Sequence, residues 1–292
     1  MRSRIIQGIR EFFFQNDYLE VETPYRIPAP APEAHIDAVP SGRWALHTSP
    51  ELCMKRLVAA GYERIFQICK CFRKNERGKK HLPELTMLEW YQAGSNYFDM
   101  MHQCEELLLF VARFIDREYS LVYQGNRIDL QKGWPRMTVE EAFDDYASIS
   151  MHKALRDDRF DEIMGCEIEP KLGFGRPVFI YDYPAEKGAL ARLKSDDLSL
   201  TERFELYIKG LEICNAFTEL NDPVEQLRRF EEENNCRRRY GKTIYPLPHL
   251  FLNSLNDLTE VSGNALGIDR LVMLFADTDR IDDVVAFTPE EL

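Results

Sequence analysis

Hydrophobic positions recur with two periods along the chain, and the switch between them marks its elements. Near the start, Ile5, Ile6, Ile9, Phe12 and Phe13 form an apolar stripe at helical spacing, which predicts a helix over 3–15. Met101, Cys104, Leu108, Val111 and Ile115 do the same over 98–117. A shorter helix is predicted over 50–60, where Ser49 suits the N-cap, Pro50 the first helical position, and Gly61 follows the end. Asp222–Pro223 opens a charged helix that stops near Gly241. Residues 64–73, 84–91, 203–208 and 211–219 read as strands, the last two joined by a turn at Lys209–Gly210. A Pro/Ala-rich loop over 27–40 is polar enough to be mobile. Residues 120–176 are mixed and poor in motifs, an insertion or subdomain within one domain spanning 1–292. Antiparallel strand pairs flanked by helices predict an α+β fold rather than a doubly wound parallel sheet.

Strand alternation sorts the polar residues by face. In TMLEWY, Leu85, Met87, Glu89 and Tyr91 share one side, while Thr86, Leu88 and Trp90 share the other. A carboxylate turned inward beside a tyrosine suits an ammonium ligand; a half-exposed strand with Glu89 in solvent fits the segment equally. In ELYIKGLEI, a two-residue turn places Tyr207 opposite Glu212 and Glu205 diagonal to it. That carboxylate pair can share Mg²⁺, which prefers oxygen ligands completed by phosphates and water, or it is an exposed acidic hairpin. Asn215 and Glu219 fall on the opposite parity from Glu212. Both sets reach one pocket only if a bulge or bend intervenes.

Composition narrows the class of function. The chain has 292 residues, 45% hydrophobic and 29% charged, ordinary values for a globular protein. Its net charge of −12 argues against a protein whose main task is gripping a nucleic-acid backbone, and it is compatible with a cationic substrate. No run approaches the roughly 18 apolar residues of a membrane span, and MRSRIIQGIREFFF lacks a signal-peptide layout. The expectation is a cytoplasmic protein with no membrane partner. The seven cysteines are never spaced C-x-x-C, so neither a zinc site nor a disulfide framework is expected.

Two distant arginines stand out. Arg73 ends RIFQICKCFR, and the loop after it adds Lys74, Arg77, Lys79, Lys80 and His81, a concentration of positive charge suited to closing over phosphates. Arg270 follows the glycine-flanked turn of GNALGIDRLVMLF. Guanidinium meets phosphate with a planar, two-pronged pattern of donors. The chain has no G-x-x-x-x-G-K-[ST] loop, so a nucleotide is not held in the P-loop manner. The run Arg237 to Lys242, RRRYGK, reads as a solvated helix end or a contact for an acidic partner.

These segments resemble class II aminoacyl-tRNA synthetases, specifically the lysyl-tRNA synthetase branch. YLEVETP looks like motif 1, the dimer-forming element, with Pro24 as its proline. TSPELCMKRL, FRKNERGKKHLPELTMLEWY, RFELYIKGLEICNAFTELND and GNALGIDRLVML have counterparts in that family, so the resemblance covers most of the chain. It implies that Arg73 binds the α-phosphate and the substrate carboxylate, with His81 and Arg270 on the rest of an ATP triphosphate. Lys74, Asn75, Leu82, Ile213 and Gly267 would line the nucleotide, and Glu205 and Glu212 would hold magnesium. Glu51, Tyr91, Asn215 and Glu219 would form the lysine pocket, with Glu89 close by and Ser49, Pro50 and Ala265 shaping it. A homodimer is implied as well.

Three features turn the resemblance away from the tRNA enzymes. The chain starts almost at motif 1, with no room ahead of it for an anticodon-binding domain. Ser49 replaces a typical alanine, and Ala265 a typical glycine. These match the branch that attaches (R)-β-lysine to a lysine of elongation factor P, and tRNA is then not the expected acceptor. The chain also departs from the family pattern. Asn75 stands where motif 2 usually has glutamate, Leu85 where a phenylalanine stacks on adenine, and Ala216 replaces a glycine; Glu76 restores a carboxylate if the loop shifts by one residue. An adenylate former with another acceptor, or a regulator that binds lysine or ATP without catalysis, are the rival expectations.

Overall fold

The computed structural model describes residues 1–292. An eight-stranded sheet forms its centre, in the spatial order Leu19–Glu20, Arg64–Phe72, Glu84–Ala93, Val261–Gly267, Leu211–Thr218, Leu200–Ile208, Val178–Pro184, Arg136–Thr138. The six inner strands pair antiparallel, and each short edge strand adds in parallel. The α+β expectation holds.

One face of the sheet carries the helices Arg2–Gln15, Tyr97–Phe114 and Ile268–Ala276. Their apolar stripes meet Phe66, Leu88, Trp90, Leu206 and Leu266 in the largest core cluster, where Phe13 stacks on Phe66 at 4.6 Å. Both predicted long helices start within one residue of their expected positions. Asn96 makes a capping box with Asp99, so the second opens at Tyr97. The opposite face packs Glu51–Ala59, Pro223–Arg239 and His249–Ser254 around Leu52, Met54, Tyr91, Phe230 and Phe251. Those helices cover the sheet only in part, and the gap beside them is the main cavity.

Three local features differ from expectation. The helix predicted from Pro50 begins at Glu51; the Ser49 hydroxyl accepts from Glu51 N at 3.0 Å, so the cap acts from one position further out. The 27–40 loop is held rather than loose. Arg237, fully buried, donates to the carbonyls of Glu33 and Ile36 and to the Asp37 carboxylate, at 2.6, 2.9 and 2.7 Å. The basic run therefore supplies an internal strut as well as a solvated helix end. Residues 120–176 divide between two cores. Leu121, Tyr123, Ile128 and Trp134 join the main core, and the helices from Val139 onward build a second cluster against Val178, Ile180 and Tyr207 of the sheet.

Candidate active site

Alternation in the Glu84–Ala93 strand divides as expected: Leu88 and Trp90 enter the helical layer, and Leu85, Met87, Glu89 and Tyr91 line the cavity. Glu89 is 1% exposed, so the solvent-facing alternative is excluded. Its carboxylate accepts from Ser49 Oγ at 2.6 Å and from the Tyr91 hydroxyl at 2.9 Å. Burial, with the Glu51 charge adding to it, pushes the Glu89 carboxyl up to about 7.

The 200–218 hairpin turns as predicted, with Tyr207 opposite Glu212 and Ile208 opposite Leu211. A bulge then displaces the register between Leu206 and Tyr207, so Glu205 faces Asn215. One extra residue reverses the parity of everything beyond it. That bulge lets Glu212, Asn215, Phe217 and Glu219 all border one cavity, which strict alternation forbids.

This cavity, about 560 Å³, receives residues from four of the segments singled out in the sequence, those around Ser49, Arg73 to Tyr91, Glu212 to Glu219 and Gly263 to Arg270. Arg73, Asn75, His81, Leu82, Glu212, Ile213, Gly267 and Arg270 line one part; Ser49, Glu51, Glu89, Tyr91, Asn215, Glu219 and Ala265 line the other. Arg73 and Arg270 thus open into the same space. Three expected residues do not line it. Pro50 and Lys74 stay in the adjoining backbone, where Lys74 N donates to Asp37 O at 2.6 Å. Glu205 lies behind the wall, accepting from Arg203 at 2.7 Å, Tyr183 at 2.8 Å, Tyr207 at 2.5 Å and Asn215 at 3.3 Å. Its oxygens are occupied by protein donors, unlike those of an exposed acidic hairpin.

Arg270 is positioned from two sides. Its neighbour Asp269 is buried and accepts from Thr86 N at 2.7 Å and Arg2 at 2.6 Å, which locks the first turn of the helix after Gly267. The Arg270 guanidinium donates to Glu212 at 2.9 Å and to His81 Nε2 at 2.7 Å. Because guanidinium cannot accept, His81 Nε2 carries the lone pair. Burial and the adjacent Arg270 charge hold the His81 ring below its usual pKa. Burial favours the neutral form of Glu212, but the Arg270 charge and hydrogen bond overcome this and bring its pKa down. In the motif 2 loop, Asn75 has φ +66°, a left-handed conformation that asparagine tolerates better than glutamate. Glu76 beside it lines the cavity 3.8 Å from Arg73, which places a carboxylate there one position later.

Lys55, missed in the sequence, organises the other end. It is 1% exposed and ion-paired with Glu51 at 2.5 Å and with Glu219. Three carboxylates, Glu51, Glu89 and Glu219, therefore converge with one ammonium among them. Burial drives the Glu219 carboxyl well above its usual range, with Lys55 opposing and Glu51 adding to the rise. The sequence signal for Lys55, an i,i+4 pair with Glu51, is the pattern of ordinary surface ion pairs. Gly263 was missed too. A Cβ there would stand 2.6 Å from Tyr91 Cδ1 and closer still to Tyr91 Cε1 and Glu219 Oε1, so the space between tyrosine and carboxylate exists only because the residue is glycine.

An arginine-lined compartment joined to a carboxylate-lined one suits a ligand with a polyanionic end and a cationic end. A family model for tRNA synthetases class II (D, K and N) matches residues 1–291. The chain is 38% identical to the elongation factor P (R)-beta-lysine ligase of Vibrio atlanticus (strain LGP32), over 98% of this chain and 94% of that protein. It is likewise 38% identical to the ligase of the same name from Vibrio cholerae serotype O1, over 98% and 93%. It is 36% identical to the lysine–tRNA ligase of Methanoculleus marisnigri, over 98% of this chain and 61% of that protein.

Proposed function

This chain belongs to the class II tRNA synthetases of the D, K and N group, and on that premise we propose that it activates lysine or (R)-β-lysine with ATP and transfers it to a lysine side chain of elongation factor P. One observation carries the reading: Arg73 and Arg270, from segments almost 200 residues apart, open into one cavity whose far end holds Glu51, Glu89 and Glu219. Supporting it, the relatives named for this modification are matched over nearly their whole length. Ser49 and Ala265, the residues that separate the two branches, both border the carboxylate compartment.

In this reading the substrate carboxylate attacks the α-phosphorus of ATP, pyrophosphate leaves, and the acyl-adenylate awaits an amine. No protein nucleophile is required. Arg73 orients the carboxylate against the α-phosphate; Arg270 and His81 receive the outer phosphates. The side-chain and backbone ammonium groups of the substrate offset the excess of buried carboxylate around Lys55. Catalysis is then positioning plus neutralisation of developing charge. Glu212, which faces the cavity, suits magnesium together with phosphate oxygens, an oxygen donor set that this ion prefers; Glu205 would join it by releasing Arg203. Magnesium supplies further neutralisation of the triphosphate. Motif 1 at Glu22, Thr23 and Pro24 borders an open surface groove with Cys53, Arg56 and Leu250, in keeping with a homodimer through that region. No helix is long and apolar enough to cross a membrane, and the reaction is assigned to the cytoplasm, where the elongation factor works.

Pyrophosphate exchange with α-lysine and with (R)-β-lysine tests activation, and the mass of elongation factor P after incubation with ATP and each isomer tests transfer. Exchange with a lysine isomer and a matching mass increase are expected. Exchange without the mass increase, but with charging of tRNA or a carrier protein, overturns the acceptor; no exchange with any isomer overturns the enzyme.

A further inference from the structure

We propose that His47, Cys69 and Cys71 form a zinc site beside the cavity, independent of the reaction assigned above. The three residues are buried, and one ring nitrogen of His47 and the two sulfurs lie within 4.8 Å of one another. Cys69 and Cys71 are two apart on the Arg64–Phe72 strand, so both project from the same face, opposite Met87 and Leu85 of the cavity wall. His47 follows the short strand Trp44–Leu46 and closes over them. The sequence hid this arrangement, because C-x-C on a strand with a histidine more than twenty residues earlier matches none of the common zinc spacings.

Geometry and charge both favour zinc. The sulfurs are 3.9 Å apart, and two Zn–S bonds of about 2.3 Å at a tetrahedral angle span about 3.8 Å. Both thiolates therefore reach one ion without movement of the strand. A carbonyl can only accept, so His47 Nε2, 2.7 Å from Lys70 O, carries the ring proton, and Nδ1 keeps its lone pair. Zinc-bound imidazole uses one nitrogen and donates from the other to a carbonyl or carboxylate; with Nδ1 as the ligand, the bond to Lys70 O is that second contact. Two thiolates and Zn²⁺ sum to zero charge, the condition a buried site favours. Sulfur donors exclude Mg²⁺ and Ca²⁺, which select oxygen. On binding, two S–Zn bonds form and the two thiol protons pass to solvent. Three protein ligands leave one coordination position open. The ion would tie the segment leading to Ser49 to the strand end that carries Arg73, whose Nε donates weakly to Thr48 O at 3.5 Å.

Cobalt(II) titration of the reduced full-length chain tests the site through the thiolate-to-cobalt charge-transfer band. One equivalent of cobalt should develop the band, zinc should abolish it, and zinc should release about two protons per ion at neutral pH. Cys69→Ala and Cys71→Ala, which keep the positions small and apolar, should lose the band and any rise in Tm with zinc. Cys166→Ser and Cys236→Ser, outside the cluster, should retain both. Absence of the band and of proton release in the wild type overturns the site, as does a band that survives in Cys71→Ala. Proton release is read on the wild type, so the proposal stays testable if the substituted chains fold poorly.

Discussion

Glu89→Gln should stabilise the free protein at pH 8 while weakening its use of the amino acid. The Glu89 carboxyl is pushed up to about 7 from an ordinary 4.5, burial first and the Glu51 charge second. One decade in a protonation equilibrium is worth about 1.4 kcal/mol, so holding Glu89 ionised above pH 7 costs roughly 3 kcal/mol of folding free energy. The sign follows from the direction of the shift. The folded state binds this proton more tightly than the unfolded chain, so the stability it contributes is complete below pH 4.5 and is lost as pH rises to 7. Glutamine removes that dependence. It keeps the Ser49 contact, and the Tyr91 hydroxyl must turn from donor to acceptor, at a cost of about 1 kcal/mol. The net gain at pH 8 is about 2 kcal/mol, or about 3 °C in Tm, with no gain at pH 4.5. Chemical denaturation of wild type and variant at both pH values measures it, and the KM for lysine in pyrophosphate exchange should rise. A variant that is less stable than wild type at pH 8, or equally pH-dependent, would refute the reasoning.

Three further outcomes are expected. Gly263→Ala should raise the KM for the amino acid at least tenfold at a stability cost of about 1–3 kcal/mol, because the new Cβ displaces Tyr91 and the Glu219 carboxylate; an unchanged KM contradicts this. Lys55→Met should destabilise by about 3–5 kcal/mol by leaving buried carboxylates uncompensated, and adding Glu219→Gln should recover part of the loss in urea unfolding; strictly additive losses contradict the pairing. The His81 ring, followed by NMR, should titrate below the ordinary histidine range in the free protein and move upward when ATP draws Arg270 away or when Arg270 is replaced by Ala; a ring insensitive to both contradicts the contact.

What the chain determined by itself was everything governed by local period and residue type. The helical stripes, the parity of Leu85 to Tyr91 and the Lys209–Gly210 turn are consequences of spacing, and each occupies its expected place in the fold. Tertiary structure decided where spacing carries no sign. A single bulge between Leu206 and Tyr207 chose which acids reach the cavity, because one inserted residue inverts every side chain after it. Lys55 and Arg237 read as surface charges, and only packing revealed one as the cation among three buried acids and the other as the pin of the 27–40 loop. Burial is a property of what comes from elsewhere in the chain, so the charges that matter most here are those with neighbours distant in sequence, such as Glu219 for Lys55 and Asp37 for Arg237.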